Sequence, residues 1–158
     1  MDSIATEETD QEILGLLKET RTIAVVGMKD NPEQDAYRVP AYLQERGYTI
    51  LPINPKLVEI LDRTAYPSLR KIPPHEPPID IVNIFRASEH IAAHADEILA
   101  LSPRPRAVWT QLGIRDDPSA ARLRAAGIQV IIRRAFVGGK GVVIEPVHLW
   151  GIDQELFS

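Results

Sequence analysis

Short apolar runs alternate with amphipathic stretches along most of the chain. Continuous apolar runs rich in β-branched residues are typical of strands buried on both faces of a parallel sheet. The stretches between them carry apolar residues at helical spacing. Strands that alternate with helices predict an α/β fold with right-handed crossovers. The predicted strands are Thr22–Val26, Tyr48–Ile53, Ile79–Phe85, Ala107–Thr110 and Ile128–Ile132.

Capping and stop signals delimit the helices between these strands. A capping box at Thr9–Glu12 starts the first helix, Pro40 restricts the second, and Gly47 and Gly127 provide C-terminal stops. The segment Leu57–Ala65 fits either a short helical turn or an irregular crossover. The predicted helices cover Thr9–Thr20, Tyr37–Arg46, Ser88–Leu101 and Asp117–Gly127, and Tyr66–Ile72 is predicted as a brief strand end with a short helix.

This alternation predicts a Rossmann-like three-layer sandwich with a mostly parallel sheet in the strand order 3-2-1-4-5. In such a sheet, a ligand binds at the carboxyl ends of the strands, here between the first and fourth strands. The whole chain, 1–158, is predicted to be one domain. Residues 1–8 form a predicted mobile tail, and residues 136–158 form a C-terminal extension.

Composition narrows the function classes. The net charge of −4 argues against a general nucleic-acid binder. The absence of cysteine excludes disulfides, thiolate zinc sites and cysteine nucleophiles. The sequence shows no long apolar span and no basic-then-apolar start, so we predict no membrane association and a cytoplasmic location.

Gly27 follows the first predicted strand, where a residue without a Cβ lets a ligand approach the backbone. An ordinary strand-to-loop glycine is an equally good interpretation of this position alone. Met28 and Lys29 follow it, so the G-x-G-x-x-G dinucleotide fingerprint is absent, and no P-loop motif occurs. The pattern therefore weakens an NAD site and a nucleoside-triphosphate site.

Basic residues follow successive strand ends. Lys29, Lys56 and Arg86 each come just after a predicted strand, and Arg38 ends the loop after the first one. A single such charge is usually solvated surface, but several at one sheet edge indicate an anionic ligand. The candidate binding residues are Gly27, Met28, Lys29, Arg38, Asn54, Pro55, Lys56, Phe85, Arg86, Trp109 and Gln111.

Lys56 narrows the choice of ligand. NAD-binding sheets place an acidic residue near the end of the second strand, whereas an additional ribose phosphate favours a basic residue there. Lys56 occupies this region, and the next acid is Glu59. The ligand is therefore predicted to be NADP or coenzyme A, and the missing glycine-rich turn favours coenzyme A.

The chain resembles the small bacterial CoA-binding-domain proteins, which are similar to the CoA-binding domain of the succinyl-CoA synthetase α subunit. This resemblance implies a Rossmann-like fold, CoA contacts at Gly27–Lys29, Lys56 and Phe85-Arg86, and no established catalytic residue. The matching segments are Ile23–Gly27, Tyr37–Val39, Tyr42-Leu43, Gly47-Tyr48, Pro52–Pro55, Asp80–Val82, Phe85-Arg86 and Trp109–Gly113.

The chain departs from this family after the last predicted strand. Family members commonly have an Arg-Cys pair where this chain has Arg134-Ala135, so a thiol-based role is lost. The glycines of Gly138–Gly141 lie between β-forming residues and predict a hairpin tip. A homodimer formed through this extension is one expectation, and a hairpin folded over its own domain is the other.

The expected function is the binding of coenzyme A or an acyl-CoA, without catalysis or as an accessory protein. The alternatives are an NADP-dependent oxidoreductase, a CoA-ligase component, and an interaction module that keeps the fold without a ligand. His90 and His94 have a spacing that can bind metal, but a solvated helix face explains them better. We predict no metal site.

Overall fold

The computed structural model describes residues 10–110 and 116–132. The predicted tail, Gln111 and the C-terminal extension lie outside the described residues. The helices are α1 (Asp10–Glu19), α2 (Asp35–Glu45), α3 (Ile91–Leu99) and α4 (Asp117–Ala125). The strands are β1 (Thr22–Val26), β2 (Thr49–Ile53), β3 (Glu59–Ile60), β4 (Arg63–Thr64), β5 (Ile81–Ile84), β6 (Ala107–Thr110) and β7 (Gln129–Ile132). Short 3-10 helices cover Leu69–Lys71 and Ser88–His90.

Five parallel strands form the main sheet in the order β2-β1-β5-β6-β7. This confirms the α/β, Rossmann-like fold class, but the predicted strand order 3-2-1-4-5 is wrong. Counting only these five strands, the order is 2-1-3-4-5. Successive strands are therefore added to one side of β1 first and then to its other side, beginning with β5. After β2 the chain does return along the outer edge of the sheet, but it pairs there only through one bridge between Ile53 and Tyr66. The next full strand, β5, pairs with the other side of β1.

Alternate side chains of the sheet enter two hydrophobic clusters, one on each face. Ile23 and Val25 of β1 share one cluster with residues of α1 and α2, including Leu17 and Leu43. The opposite cluster contains Ala24 and Val26 of β1, Ile91, Ala95 and Ile98 of α3, and Leu123 of α4. The clusters hold helices against both faces of the sheet, as the alternation of apolar runs and amphipathic stretches predicts.

Helix α2 begins two residues before the predicted start and contains Pro40 in its interior. A proline has no N–H, so the carbonyl oxygen of Ala36, four residues earlier, lacks its usual helical donor. That carbonyl accepts the backbone N–H of Lys29 at 3.4 Å. Pro40 therefore does not delay the start of the helix. It leaves the carbonyl oxygen of Ala36 free to bind the backbone of Lys29 in the loop after β1.

Other boundaries follow the sequence signals closely. Gly47 and Gly127 have φ values of +101° and +87°, which supports their assignment as helix stops. The N-cap of α4 is Asp116, one residue before the predicted start of this helix, because its side chain accepts the backbone N–H of Ser119. The segment Leu57–Ala65 is neither a short helical turn nor an irregular crossover, so both predictions are wrong: β3 and β4 form an antiparallel hairpin there.

Within the described residues, no helix is both long and apolar enough to cross a membrane.

Candidate functional site

Gly27 lies where the carboxyl ends of β1, β2 and β5 meet. Its N–H donates to the carbonyl oxygen of Ile53 at 3.0 Å, and the N–H of Phe85 donates to Val26 at 2.8 Å. These bonds extend the parallel pairing one residue past β1 and one residue past β5. The loops that follow the three strands therefore start side by side, at the topological switch point where the strand order reverses.

Crowding by the protein itself explains the glycine at position 27. Its φ is +85°, a conformation that residues with a side chain rarely adopt. A Cβ built there would lie 2.7 Å from the carbonyl oxygen of Phe85 and 2.9 Å from Cδ of Arg86. The sequence predicts that glycine permits the approach of a ligand, whereas the structure shows that it first permits the approach of β5 and the Arg86 side chain.

Asn54 ties the end of β2 to the end of β1. Its side-chain Nδ2 donates to the carbonyl oxygen of Met28 at 2.6 Å, and its Oδ1 accepts the backbone N–H of Lys56 at 2.7 Å. The second bond forms an Asx turn, in which the side chain organises the backbone two residues ahead. Asn54 thus fixes the direction in which the chain leaves β2 toward Lys56.

Three basic residues follow the ends of β1, β2 and β5. Within residues 10–110 and 116–132, Lys29, Lys56 and Arg86 form no ion pair. Lys29 and Lys56 are exposed and Arg86 is half-buried. Arg38 differs, because its Nη2 lies 2.5 Å from Oδ1 of Asp35 in the first turn of α2. The rim formed by Lys29, Lys56 and Arg86 therefore carries positive charge that a bound anion can neutralise.

The other predicted site residues lie in different environments. The side chains of Met28 and Trp109 are fully buried in the cluster shared with α1 and α2, so only their backbone groups could reach a ligand. Pro55 is exposed beside Asn54, and Phe85 is half-buried and packs against the same cluster as Met28. The structure therefore brings the residues that follow β1, β2 and β5 together, while Trp109 belongs to the core.

A buried amide that is not among the predicted site residues lies behind this rim. Asn83 on β5 is fully buried and pairs in register with Val25 and Trp109. Its Nδ2 and Oδ1 have no hydrogen-bond partner within the described part of the chain. Its only sequence signal is a polar residue within an apolar strand. An unsatisfied buried amide costs about 1–3 kcal/mol.

The histidine pair does not form a metal cluster. His94 Nδ1 lies 3.1 Å from Oε1 of Glu97, and His90 Nε2 lies 3.7 Å from Oε2 of Glu89. Among the described residues, no group of three or more potential ligands could hold a metal ion. Each histidine is therefore associated with a carboxylate close to it in the sequence.

Comparisons with known proteins agree with this fold. The model of a family described as a CoA binding domain matches residues 21–137. The uncharacterized protein YneT of Bacillus subtilis is 36% identical over 121 residues, which cover 77% of this chain and 86% of YneT. A solved structure from Thermus thermophilus is 38% identical with a TM-score of 0.74, covering 80% of this chain and 92% of the other.

A more distant likeness concerns the fold alone. A dinucleotide-forming acetyl-coenzyme A synthetase from Candidatus Korarchaeum cryptofilum is 20% identical with a TM-score of 0.59. The match covers 74% of this chain but only 26% of the synthetase. The match of the family model over most of the sequence, together with the parallel sheet, shows that this chain belongs to the CoA-binding-domain family.

Proposed function

We propose that this protein binds coenzyme A or an acyl-CoA at the carboxyl ends of β1, β2 and β5. The observation that carries the proposal is the set of three cations, Lys29, Lys56 and Arg86, that follow the strand ends meeting at Gly27 and have no ion-pair partner among the described residues. Coenzyme A carries a pyrophosphate and a ribose phosphate, so several cations at one rim suit it. Membership of the CoA-binding-domain family supports the same ligand.

The proposed contacts follow from position and charge. The exposed ammonium of Lys56 interacts with the ribose phosphate, because Lys56 follows β2, where NAD-binding sheets place an acid. Lys29 and the guanidinium of Arg86 interact with the pyrophosphate, which passes near the backbone of Gly27–Lys29. Arg86 is the better bidentate partner, since its guanidinium presents a planar fork of donors. Arg38 contributes less, because Asp35 already neutralises it.

The role proposed for the bound state is non-catalytic or accessory. A CoA-ligase component is the second candidate, because the family resembles the CoA-binding domain of a CoA-ligase subunit; the likeness to the acetyl-coenzyme A synthetase concerns the fold alone. An NADP-dependent oxidoreductase is the third, since the preference of Lys56 for a ribose phosphate does not distinguish NADP from coenzyme A. A ligand-free interaction module is the fourth, because a fold can persist without its ligand.

Isothermal titration calorimetry with coenzyme A, dephospho-CoA, NADH and NADPH separates these candidates. We expect coenzyme A to bind more tightly than dephospho-CoA, and both nicotinamide nucleotides to bind poorly. Tight binding of NADPH without a response to coenzyme A would establish the oxidoreductase instead. Absence of binding by every nucleotide would favour the interaction module.

Two further expectations concern the protein outside this site. A homodimer and a cytoplasmic location both stay predictions. Sedimentation of the full chain and of a truncation ending at Arg134 tests the dimer and the part that the C-terminal extension plays in it. A monomeric full chain removes the dimer, and a truncation that stays folded and dimeric removes the extension from the interface.

A further inference from the structure

In the described part of the chain, the outer edge of β2 is held by residues that follow the strand rather than by another full strand. The bonds from Thr49 N–H to Arg21 and from Gly27 N–H to Ile53 show which peptide groups face β1. In a parallel ladder the intervening groups, those of Ile50 and Pro52, face away. Arg63 Nε donates to the carbonyl oxygen of Ile50 at 3.1 Å, and Tyr66 N–H donates to that of Pro52 at 2.9 Å.

One carboxylate joins the two residues that hold this edge. Glu76 accepts from Arg63 Nη2 through Oε1 at 2.9 Å and from the Tyr66 hydroxyl through Oε2 at 2.5 Å. Its side chain is 10% exposed, compared with 32% for Arg63. We call Arg63, Tyr66 and Glu76 the edge clamp. Burial opposes ionisation of Glu76, but the hydrogen bonds from Tyr66 and Arg63 outweigh it and lower the pKa of Glu76.

The edge clamp connects directly to the proposed binding rim. The carbonyl oxygen of Tyr66 accepts the backbone N–H of Asn54 at 2.9 Å. Asn54 in turn accepts the N–H of Lys56 through Oδ1 and donates to Met28 through Nδ2. A continuous series of direct hydrogen bonds therefore runs from Glu76 through Tyr66 and Asn54 to the backbone of Lys56.

We propose that Glu76 is a positioning residue that sets the orientation of the Asn54–Lys56 turn, and through it the presentation of the Lys56 ammonium to a ribose phosphate. This inference rests on the proposed function for its ligand, but not for its structural step. Pro73, Pro74, Pro77 and Pro78 flank Glu76 and restrict the backbone that carries it. Loss of the carboxylate leaves Arg63 and the Tyr66 hydroxyl without their shared acceptor, so the outer edge of β2 loosens next to the turn.

Hydrogen exchange of the ligand-free protein tests the structural step. We expect Glu76→Ala to speed the exchange of the Asn54 and Lys56 amides, since both bonds depend on the position of Tyr66 or Asn54. Glu59→Ala, which removes an exposed carboxylate from the neighbouring hairpin, should leave both rates unchanged. Glu76→Gln keeps the side-chain volume and replaces Glu76→Ala as the test variant if the alanine variant does not fold. Unchanged protection of both amides in a folded Glu76 variant would overturn the proposal.

Calorimetry tests the effect on the ligand. Positioning effects of this kind change affinity by roughly 2- to 30-fold. We expect Glu76→Ala to weaken coenzyme A by a factor in this range and to change dephospho-CoA little. In a Lys56→Ala background the same substitution should cause no further loss of affinity for coenzyme A. A general weakening of the fold would still lower the affinity in that background.

Equal losses of affinity for both ligands, if they persist in the Lys56→Ala background, would refute the positioning role. Failure of the wild-type protein to bind coenzyme A refutes the proposed function alone, because the exchange rates still decide the structural step.

Discussion

A Cβ atom at Gly27 would lie 2.7 Å from the carbonyl oxygen of Phe85, closer than real Cβ contacts allow. This relationship assigns the glycine to the junction of β1 and β5 before any ligand is considered. The proposed approach of a pyrophosphate to Gly27 therefore cannot be tested by substituting this residue alone, since the variant would first disturb the junction.

Gly27→Ala and Gly47→Ala together separate backbone strain from crowding. Both positions have positive φ, but a Cβ at Gly47 meets nothing within 4 Å. We expect Gly47→Ala to cost about 1–2 kcal/mol in the free energy of unfolding through its backbone conformation. Gly27→Ala should cost about 1–3 kcal/mol more than Gly47→Ala, because the neighbouring atoms of Phe85 and Arg86 must move. Urea denaturation measures both, and equal losses would contradict the crowding by Phe85 and Arg86.

Lys56→Ala should weaken coenzyme A by about 1.5–3 kcal/mol, the scale of a hydrogen bond to a charged group. Dephospho-CoA should be barely affected, because it lacks the phosphate that Lys56 is proposed to contact. Lys71→Ala is the matched control, since Lys71 is also exposed but belongs to the 3-10 helix Leu69–Lys71. Calorimetry with both ligands gives the result. Equal losses for the two ligands would move the phosphate contact to Lys29 or Arg86.

Tyr48 should make the folded protein sensitive to alkali. Burial raises the pKa of Tyr48 from 10.0 to about 12, and its hydroxyl donates to the carbonyl oxygen of Leu17 at 2.9 Å. A pKa raised by folding gives stability that is fully present below pH 10 and is lost as the pH rises toward 12. Tyr48→Phe should cost about 0.5–1.5 kcal/mol at neutral pH and reduce the alkaline loss. Thermal unfolding from pH 8 to 11 checks this, with Tyr37→Phe as the control, and identical pH profiles for Tyr48→Phe and wild type would contradict it.

Asn83→Leu should raise the free energy of unfolding by about 1–3 kcal/mol, because it replaces a buried amide that has no partner among the described residues by an apolar side chain of similar size. Asn54→Leu provides the contrast. Asn54 uses both its donor and its acceptor, so its loss should destabilise the protein. Urea denaturation of the two variants measures the difference. A destabilised Asn83→Leu protein would show that a bound water or another group satisfies the amide.

Arg124 should stabilise the edge of β7 that does not pair with β6. The bond from Gln129 N–H to Arg106 shows that Gln129 faces β6, so the carbonyl of Val130 faces away. Arg124 Nη2 donates to that carbonyl at 3.0 Å. We expect Arg124→Met to cost about 1 kcal/mol, and Arg122→Met, which removes only an exposed ion pair with Asp96, to cost less than about 0.5 kcal/mol. Equal effects in urea denaturation would show that the Val130 bond contributes nothing.

Local patterns determined which segments form strands and helices, and therefore the fold class. The apolar runs at Thr22–Val26 and Ala107–Thr110 became strands because such runs favour burial on both sheet faces. Lys56 could be placed at a strand end for the same reason, since Asn54-Pro55 terminates the run before it. Periodicity and turn signals act over a few residues, so the sequence alone suffices to recognise them.

Tertiary structure decided the relationships between distant segments. The strand order depended on whether the chain after β2 could form a full edge strand, and among the described residues Tyr66 alone forms a β-bridge there. The same return along the edge brings Arg63 and Tyr66 to Glu76, a lone carboxylate in a proline-rich connection whose partners no local pattern identifies. Gly27 likewise carries a recognisable turn signal, but the atoms that a Cβ at this position would meet belong to Phe85 and Arg86, which follow β5. Pairing and packing between segments far apart in sequence depend on the competition among all possible partners, and that competition is resolved only when the whole sheet assembles.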